Sequence, residues 1–203
     1  MKLLKRDRFF RRVKMGTRNL TVVVKDEQVR VAQYGQWDGY PDCTGRGILK
    51  ILREDLDNLV NGLSNCIQVD EGIHENMMKH VGEVSGQPIE GQWLTLEQSE
   101  VFQDLYPEQH RDTGFRILKM VADSKTPLYL SIRFEFASEP IWCEWAYVVD
   151  LDNGKFETYS NRGEGKQGIF ARLGEDTVSM VVSYDLDELP SDEEYMHQFM
   201  QEE

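Results

Sequence analysis

The sequence predicts an α+β fold: an N-terminal β-hairpin, central helices, and C-terminal antiparallel strands forming a mixed or antiparallel sheet packed on the helices. Three observations carry this expectation. Residues 19–35, NLTVVVKDEQVRVAQYG, hold two β-branched runs on either side of Lys25-Asp26-Glu27, a turn-forming cluster. Residues 46–123 repeatedly place apolar side chains at helical spacing. Beyond Pro127 the apolar pattern changes to period two.

In chain order, Val29 and Val31 alternate with Arg30 and Ala32, so the second run of the hairpin turns one face to a core. GRGILKILREDLDNLVNGL, residues 45–63, reads as a helix with a break near Asp55. Residues 64–92 are weakly patterned, with IHENMMKHVGEV as one short helix. Thr95-Leu96-Glu97-Gln98 has the capping-box form ahead of Val101, Phe102 and Leu105, and Pro107 stops that helix. DTGFRILKMVADS predicts a further helix. LYLSIRFEF, residues 128–136, alternates over nine positions and predicts a strand, while WCEWAYVVDLDNGKFETYS predicts a hairpin through its Asp-Asn-Gly turn. VSMVVSYDL is the last expected strand.

With 203 residues, 40% of them hydrophobic, the chain suits one substantial core. A single domain is expected over residues 15–190, with a poorly ordered basic extension at 1–14 and an acidic tail at 191–203 that stays in solvent apart from one amphipathic turn at Tyr195, Met196, Phe199 and Met200. The first fourteen residues hold seven Lys or Arg and one Asp, and the remainder holds 16 basic against 35 acidic side chains. So acidic a body repels phosphate backbones, which argues against direct nucleic-acid binding by the folded part. No apolar run is long enough to span a bilayer. Three cysteines at irregular spacing suggest a reducing, cytoplasmic setting and no zinc knuckle, and the four histidines form no metal motif. No metal or cofactor is expected.

The chemistry concentrates in YGQWDGYPDCTGRG, residues 34–47. Gly39 is expected to supply a positive φ, and Pro41 a fixed one, in a tight turn between strand and helix. Antiparallel pairing brings Arg18 to the same end of the hairpin as Tyr34, within reach of Asp38. Arg18, Tyr34, Gln36, Trp37, Asp38 and Tyr40 then suit a nucleotide-like ligand: rings stack on a base, the carboxylate holds hydroxyls and the guanidinium forks to phosphate. Gly45 and Gly47 would let backbone amides approach an anion at the helix start. The competing reading is a structural corner with an Arg18–Asp38 salt bridge and with Trp37 and Tyr40 in the core. GEGKQG, residues 163–168, fits a dinucleotide fingerprint but lacks room for a crossover helix, so no such site is expected.

MGTRNL from Met15, then Tyr34, Gln36, Trp37, Asp38, Gly39, Tyr40 and Pro41, then Gly45 and Gly47, resembles the opening of a family of uncharacterised proteins from phages and bacteria. HRDTGFRIL at 110–118 and AYVVDLDNGKFETY at 146–159 extend the resemblance to residues 15–160. The family's usual start corresponds to Met15, which marks residues 1–14 as an addition, and the segment around Cys43 is longer than the family's common form. The resemblance implies a phage-type accessory protein and brings no established activity. Three functions follow as expectations. The first is capture of a nucleotide-like small molecule or a host protein, in a form free to self-associate and directed against host defence. The second is a hydrolase or transferase for a nucleotide or amide, with Asp38 as general base and Arg18 stabilising negative charge. The third is an acidic nucleic-acid mimic or protein-interaction module.

Overall fold

The computed structural model describes residues 16–89 and 93–199; the expected basic extension at 1–14 lies outside them. Strands β1 (Asn19–Lys25) and β2 (Gln28–Gly35) form the predicted hairpin. Asp26 and Glu27 both take positive φ, 56° and 61°, the mirror-image turn that suits the twist of paired strands. Helix α1 (Arg46–Gly62) follows, and its backbone departs from helical geometry at Asp55, where a break is expected from the sequence. A short strand β3 (Cys66–Gln68), helix α2 (Glu71–Ser85) and helix α3 (Leu96–Leu105) come next. Thr95 and Gln98 form the predicted reciprocal cap. After 3₁₀ turns at Pro107–Gln109 and Gly114–Arg116 stand helix α4 (Ile117–Asp123) and strand β4 (Leu128–Leu130). Strands β5 (Trp145–Asp150), β6 (Lys155–Ser160) and β7 (Ser179–Asp185) and helix α5 (Asp192–His197) complete the chain.

The main sheet has the order β2-β1-β5-β6-β7, and it is mixed because β1 and β5 run parallel, with Asn19 opposite Trp145. The fold is therefore α+β, as predicted. Strands β3 and β4 pair separately. Period two divides the strand side chains between two cores. Val23, Tyr147, Val149 and Phe156 face α1, α4 and α5. Leu20, Val22, Val148 and Tyr159 face a cover of 3₁₀ turns supplied by Phe134–Ser138 and Gly168–Leu173. Among the described residues no helix is long and apolar enough to cross a membrane.

Several local expectations need correction. The strand foreseen over 128–136 stops at Leu130, and the chain turns into the 3₁₀ segment Phe134–Ser138. One hydrogen bond, from Arg133 N to Ala32 O (2.9 Å), touches the edge of β2; the turn then sends Phe134 and Ala137, three apart, into the same core. Burial of that pair overrides the alternation of the local sequence. The positive φ of the box belongs to Asp38 (54°), not Gly39. The amphipathic turn expected in the acidic C-terminal segment does pack on the core: Tyr195 is fully buried and bonds Thr158 through its hydroxyl (2.9 Å). In GEGKQG the glycines Gly163 and Gly165 lie against the carbonyls of Ser179 and Met180, so the motif is a close backbone crossing beside β7.

Candidate ligand-binding site

The box is a corner fixed from beneath by buried hydrogen bonds. Asn19 Nδ2 donates to the carbonyls of Gly35 and Trp37, both at 3.4 Å. Gly39 N donates to Thr17 O (3.0 Å), and the buried Tyr147 hydroxyl donates to Gly39 O (2.7 Å). A side chain at Gly39 would put its Cβ 2.6 Å from Thr17 O, so glycine is required for close approach and not for dihedral freedom. Thr44 Oγ1 closes the corner by donating to Asp38 O (2.8 Å).

Gly45 and Gly47 do not present amides to an anion. They lie within a continuous helical run that begins with the π-turn Pro41–Gly45 and continues into α1. A Cβ at Gly45 would meet the Tyr195 hydroxyl at 2.2 Å, and one at Gly47 would meet the Phe115 ring at 2.4 Å. Both glycines admit a neighbouring ring, which is the structural-corner reading for these two positions.

The remaining box side chains point to three different clefts. Tyr34 donates to Gln36 Oε1 (2.5 Å) and meets Phe136 edge-on, with ring centroids 5.0 Å apart. Trp37, 43% exposed, donates from its indole nitrogen to Asp112 Oδ1 (3.0 Å) and borders, with Asp38, a cleft of about 420 Å³ against residues 112–116. Tyr40 turns the other way, into a cleft of about 520 Å³ shared with Trp145 and Phe199. Arg18 lies with its guanidinium 4.5 Å from the centroid of Trp142. The box therefore does not assemble one site from all its chemistry-bearing residues.

One cleft gathers cations. It encloses about 310 Å³ between Tyr34 and Gln33 of β2, Gln109 and Arg111, and Ser131, Arg133 and Phe136. None of these residues is acidic. Arg133 forms no ion pair among the described residues, and Arg111 has only a 3.7 Å approach to its neighbour Asp112 while remaining largely exposed. Gln36 N donates to Arg111 O (3.3 Å), tying the box to this segment. Gln109 accepts from Ser131 Oγ (2.6 Å) through Oε1 and donates to Tyr129 O, so its amide is oriented at the wall. Two guanidiniums, one of them at 3.7 Å from Asp112, with oriented amides and two rings are equipped to bind a planar, phosphate-bearing molecule.

Beside Gln109, Glu108 is buried and accepts a hydrogen bond from Tyr129 N (3.1 Å), which fixes the Pro107–Gln109 turn to β4. Burial raises its carboxyl above the ordinary carboxylate range. With the folded-state pKa above the unfolded value, stability is lost as the pH rises through the folded pKa and is fully present below the unfolded one. Glu108→Gln keeps the acceptor and removes the charge. Its melting temperature is expected to exceed wild type at pH 7 and to converge with it near pH 4, as thermal unfolding at both pH values would reveal; equal offsets at the two pH values would refute the charge argument.

Arg111, Gln109 and Arg133 escape sequence reasoning. HRDTGFRIL carries a signal as a family-like segment, yet Arg111 there has no visible partner, and Arg133 falls within the alternating run 128–136 read as a strand, which stops at Leu130. Compared with known proteins, the chain matches no protein-family model, and no curated protein or solved structure is significantly similar to it.

Proposed function

We propose that this chain is a binding module that captures a phosphate-bearing, nucleotide-like small molecule in the cleft between Tyr34 and Phe136. The observation that carries the reading is the presence of both Arg111 and Arg133 in a lining that itself includes no acidic residue, in a chain whose residues from 15 onward hold 35 acidic and 16 basic side chains. Against so negative a background, two cations facing one concavity select for an anion locally. The volume of about 310 Å³ stands at the lower end of small-molecule sites and matches a single nucleotide better than a polymer. Its lining contains no histidine, cysteine or carboxylate to act as base or nucleophile, so the geometry favours capture over turnover.

Native mass spectrometry of the purified protein, followed by denaturation and identification of any released molecule, tests this. Wild type is expected to hold a phosphate-bearing compound or to take one up from a panel of nucleoside monophosphates. Arg133→Glu, which reverses one charge of the lining, is expected to weaken uptake by more than about tenfold, since hydrogen bonds to charged groups contribute on the order of 1.5–3 kcal/mol. Equal binding by wild type and Arg133→Glu, or none by either, would overturn the reading.

A further inference from the structure

We infer that a second cleft, lined by Gln36, Trp37 and Asp38 of the box and by Asp112 and Arg116 opposite, binds a neutral polyhydroxylated ring, a pyranose sugar, against the indole of Trp37. It shares no lining residue with the Arg111 and Arg133 cleft, so the two sites stand or fall separately. Its volume of about 420 Å³ lies within the range of small-molecule sites. The indole is held in place although it is 43% exposed. Its nitrogen donates to Asp112 Oδ1 at 3.0 Å, and its six-membered ring packs against the backbone of Gly16, where a Cβ would stand 3.1 Å from Cζ3 and 3.2 Å from Cε3. A tryptophan fixed in this way loses little further freedom when a ligand settles on it. Such a ring covers the C–H face of a sugar, an apolar surface whose removal from water is favourable.

Asp38 is held as well, and under strain. Its φ of 54° lies in the left-handed region; apart from the two residues of the β1–β2 turn it is the only described non-glycine residue there. Thr44 Oγ1 donates to its carbonyl (2.8 Å), and the next residue is bonded at both backbone groups, Gly39 N to Thr17 O and Gly39 O to the Tyr147 hydroxyl. Strain that surrounding bonds impose on a single residue clusters where a side chain is presented for function. Glycine would satisfy this φ at lower cost. The residue present instead keeps a carboxylate on the cleft wall.

The charges select a neutral ligand. Asp38 and Asp112 oppose an anion and Arg116 opposes a cation, while Asp112 is already approached by Arg111 Nε at 3.7 Å. What the lining offers is hydrogen bonding of both kinds. Each carboxylate accepts from several hydroxyls at once. Arg116, held to its own wall by a bond from Nη1 to Asp112 O (3.3 Å), donates from its guanidinium. Tyr34 donates to Gln36 Oε1 (2.5 Å), which leaves the amide nitrogen of Gln36 as its donor to a ligand. A flat base carries its polar groups at a few places along an edge. A pyranose carries hydroxyls around its whole rim with a C–H face between them, which matches polar groups on opposite walls about an indole.

Saturation-transfer NMR of the full chain, titrated with glucose, galactose and N-acetylglucosamine and with adenosine and arginine as controls, tests the inference. At least one sugar is expected to bind, with saturation greatest at its ring C–H protons. Trp37→Ala is expected to weaken that binding by about tenfold or more, as loss of an aromatic anchor does. Asp38→Asn keeps a residue that tolerates the left-handed backbone, so it is expected to melt no lower than wild type and yet to lose about fivefold or more in sugar affinity. That pairing decides the matter even if Trp37→Ala does not fold, because a merely structural Asp38 would leave binding untouched. Binding of none of the three sugars at millimolar concentration, or equal sugar binding by wild type and Asp38→Asn, would overturn the inference. So would Trp37-dependent binding of adenosine or arginine without that of a sugar, which would give the cleft to a flat base or to a cation.

Discussion

Tyr195→Ala is expected to destabilise the protein by about 3–5 kcal/mol, the range for truncating a large buried aromatic side chain, and to lower its melting temperature by on the order of 10 °C. The residue stands in a segment whose composition predicts solvent: its own helix α5 begins Asp-Glu-Glu. Yet the ring is completely buried, tilted against Phe156 and Tyr184 and edge-on to Phe199. The hydroxyl bonds Thr158 of β6, and Gly45 is a glycine because that hydroxyl occupies the space a Cβ would take. Helix α5 is held down around it by Asp192, which pairs with Arg46 (2.9 Å) and Arg53 (2.8 Å) of α1. These guanidiniums hold the Asp192 carboxyl below the usual range, with hydrogen bonding to Arg53 the largest contribution. Thermal unfolding by circular dichroism decides the matter, and a Tyr195→Ala protein that melts with wild type would show that the C-terminal helix is not part of the core.

The second large effect runs against helix propensity. Gly62 is the last residue of α1, where alanine normally gains about 1 kcal/mol over glycine. Here a Cβ would stand 1.9 Å from the carbonyl oxygen of Val121 in α4. The obstruction is backbone, so no rotamer change relieves it; the two helices must separate. Leu59, Leu63, Leu118 and Val121 pack across this contact, and moving the helices apart loosens all of them. Overpacking of a tight core costs about 1–3 kcal/mol, occasionally more, and Gly62→Ala is expected at the upper end of that range. Chemical denaturation gives the value directly. A variant as stable as wild type would mean that α1 and α4 approach less closely than described.

What was legible in the sequence was local. The Lys-Asp-Glu and Asp-Asn-Gly turns, the Thr95–Gln98 cap and the break at Asp55 each depend on a few consecutive residues, and each occurs where its chemistry predicts. The parallel pairing of β1 with β5 joins segments more than a hundred residues apart, and nothing in either strand announces the other. LYLSIRFEF shows the opposite failure: its alternation is genuine, but Phe134 and Ala137 gain more from entering the core under the sheet than from extending its edge. The same misreading conceals Arg133. At the box, residue types were informative and directions were not. Tyr34 lines the cationic cleft, Gln36, Trp37 and Asp38 border a second cleft, Tyr40 a third, and the glycines serve packing. Arg111 and Arg133 belong to two separate segments that only the fold brings beside β2.

A crystal structure of the protein soaked with AMP tests the central claim most directly. The account predicts phosphate oxygens within about 3 Å of both the Arg111 and Arg133 guanidiniums, the usual reach of charge-assisted hydrogen bonds. A nucleotide seated instead in the cleft between Tyr40, Trp145 and Phe199, or no nucleotide at all at saturating concentration, would contradict it.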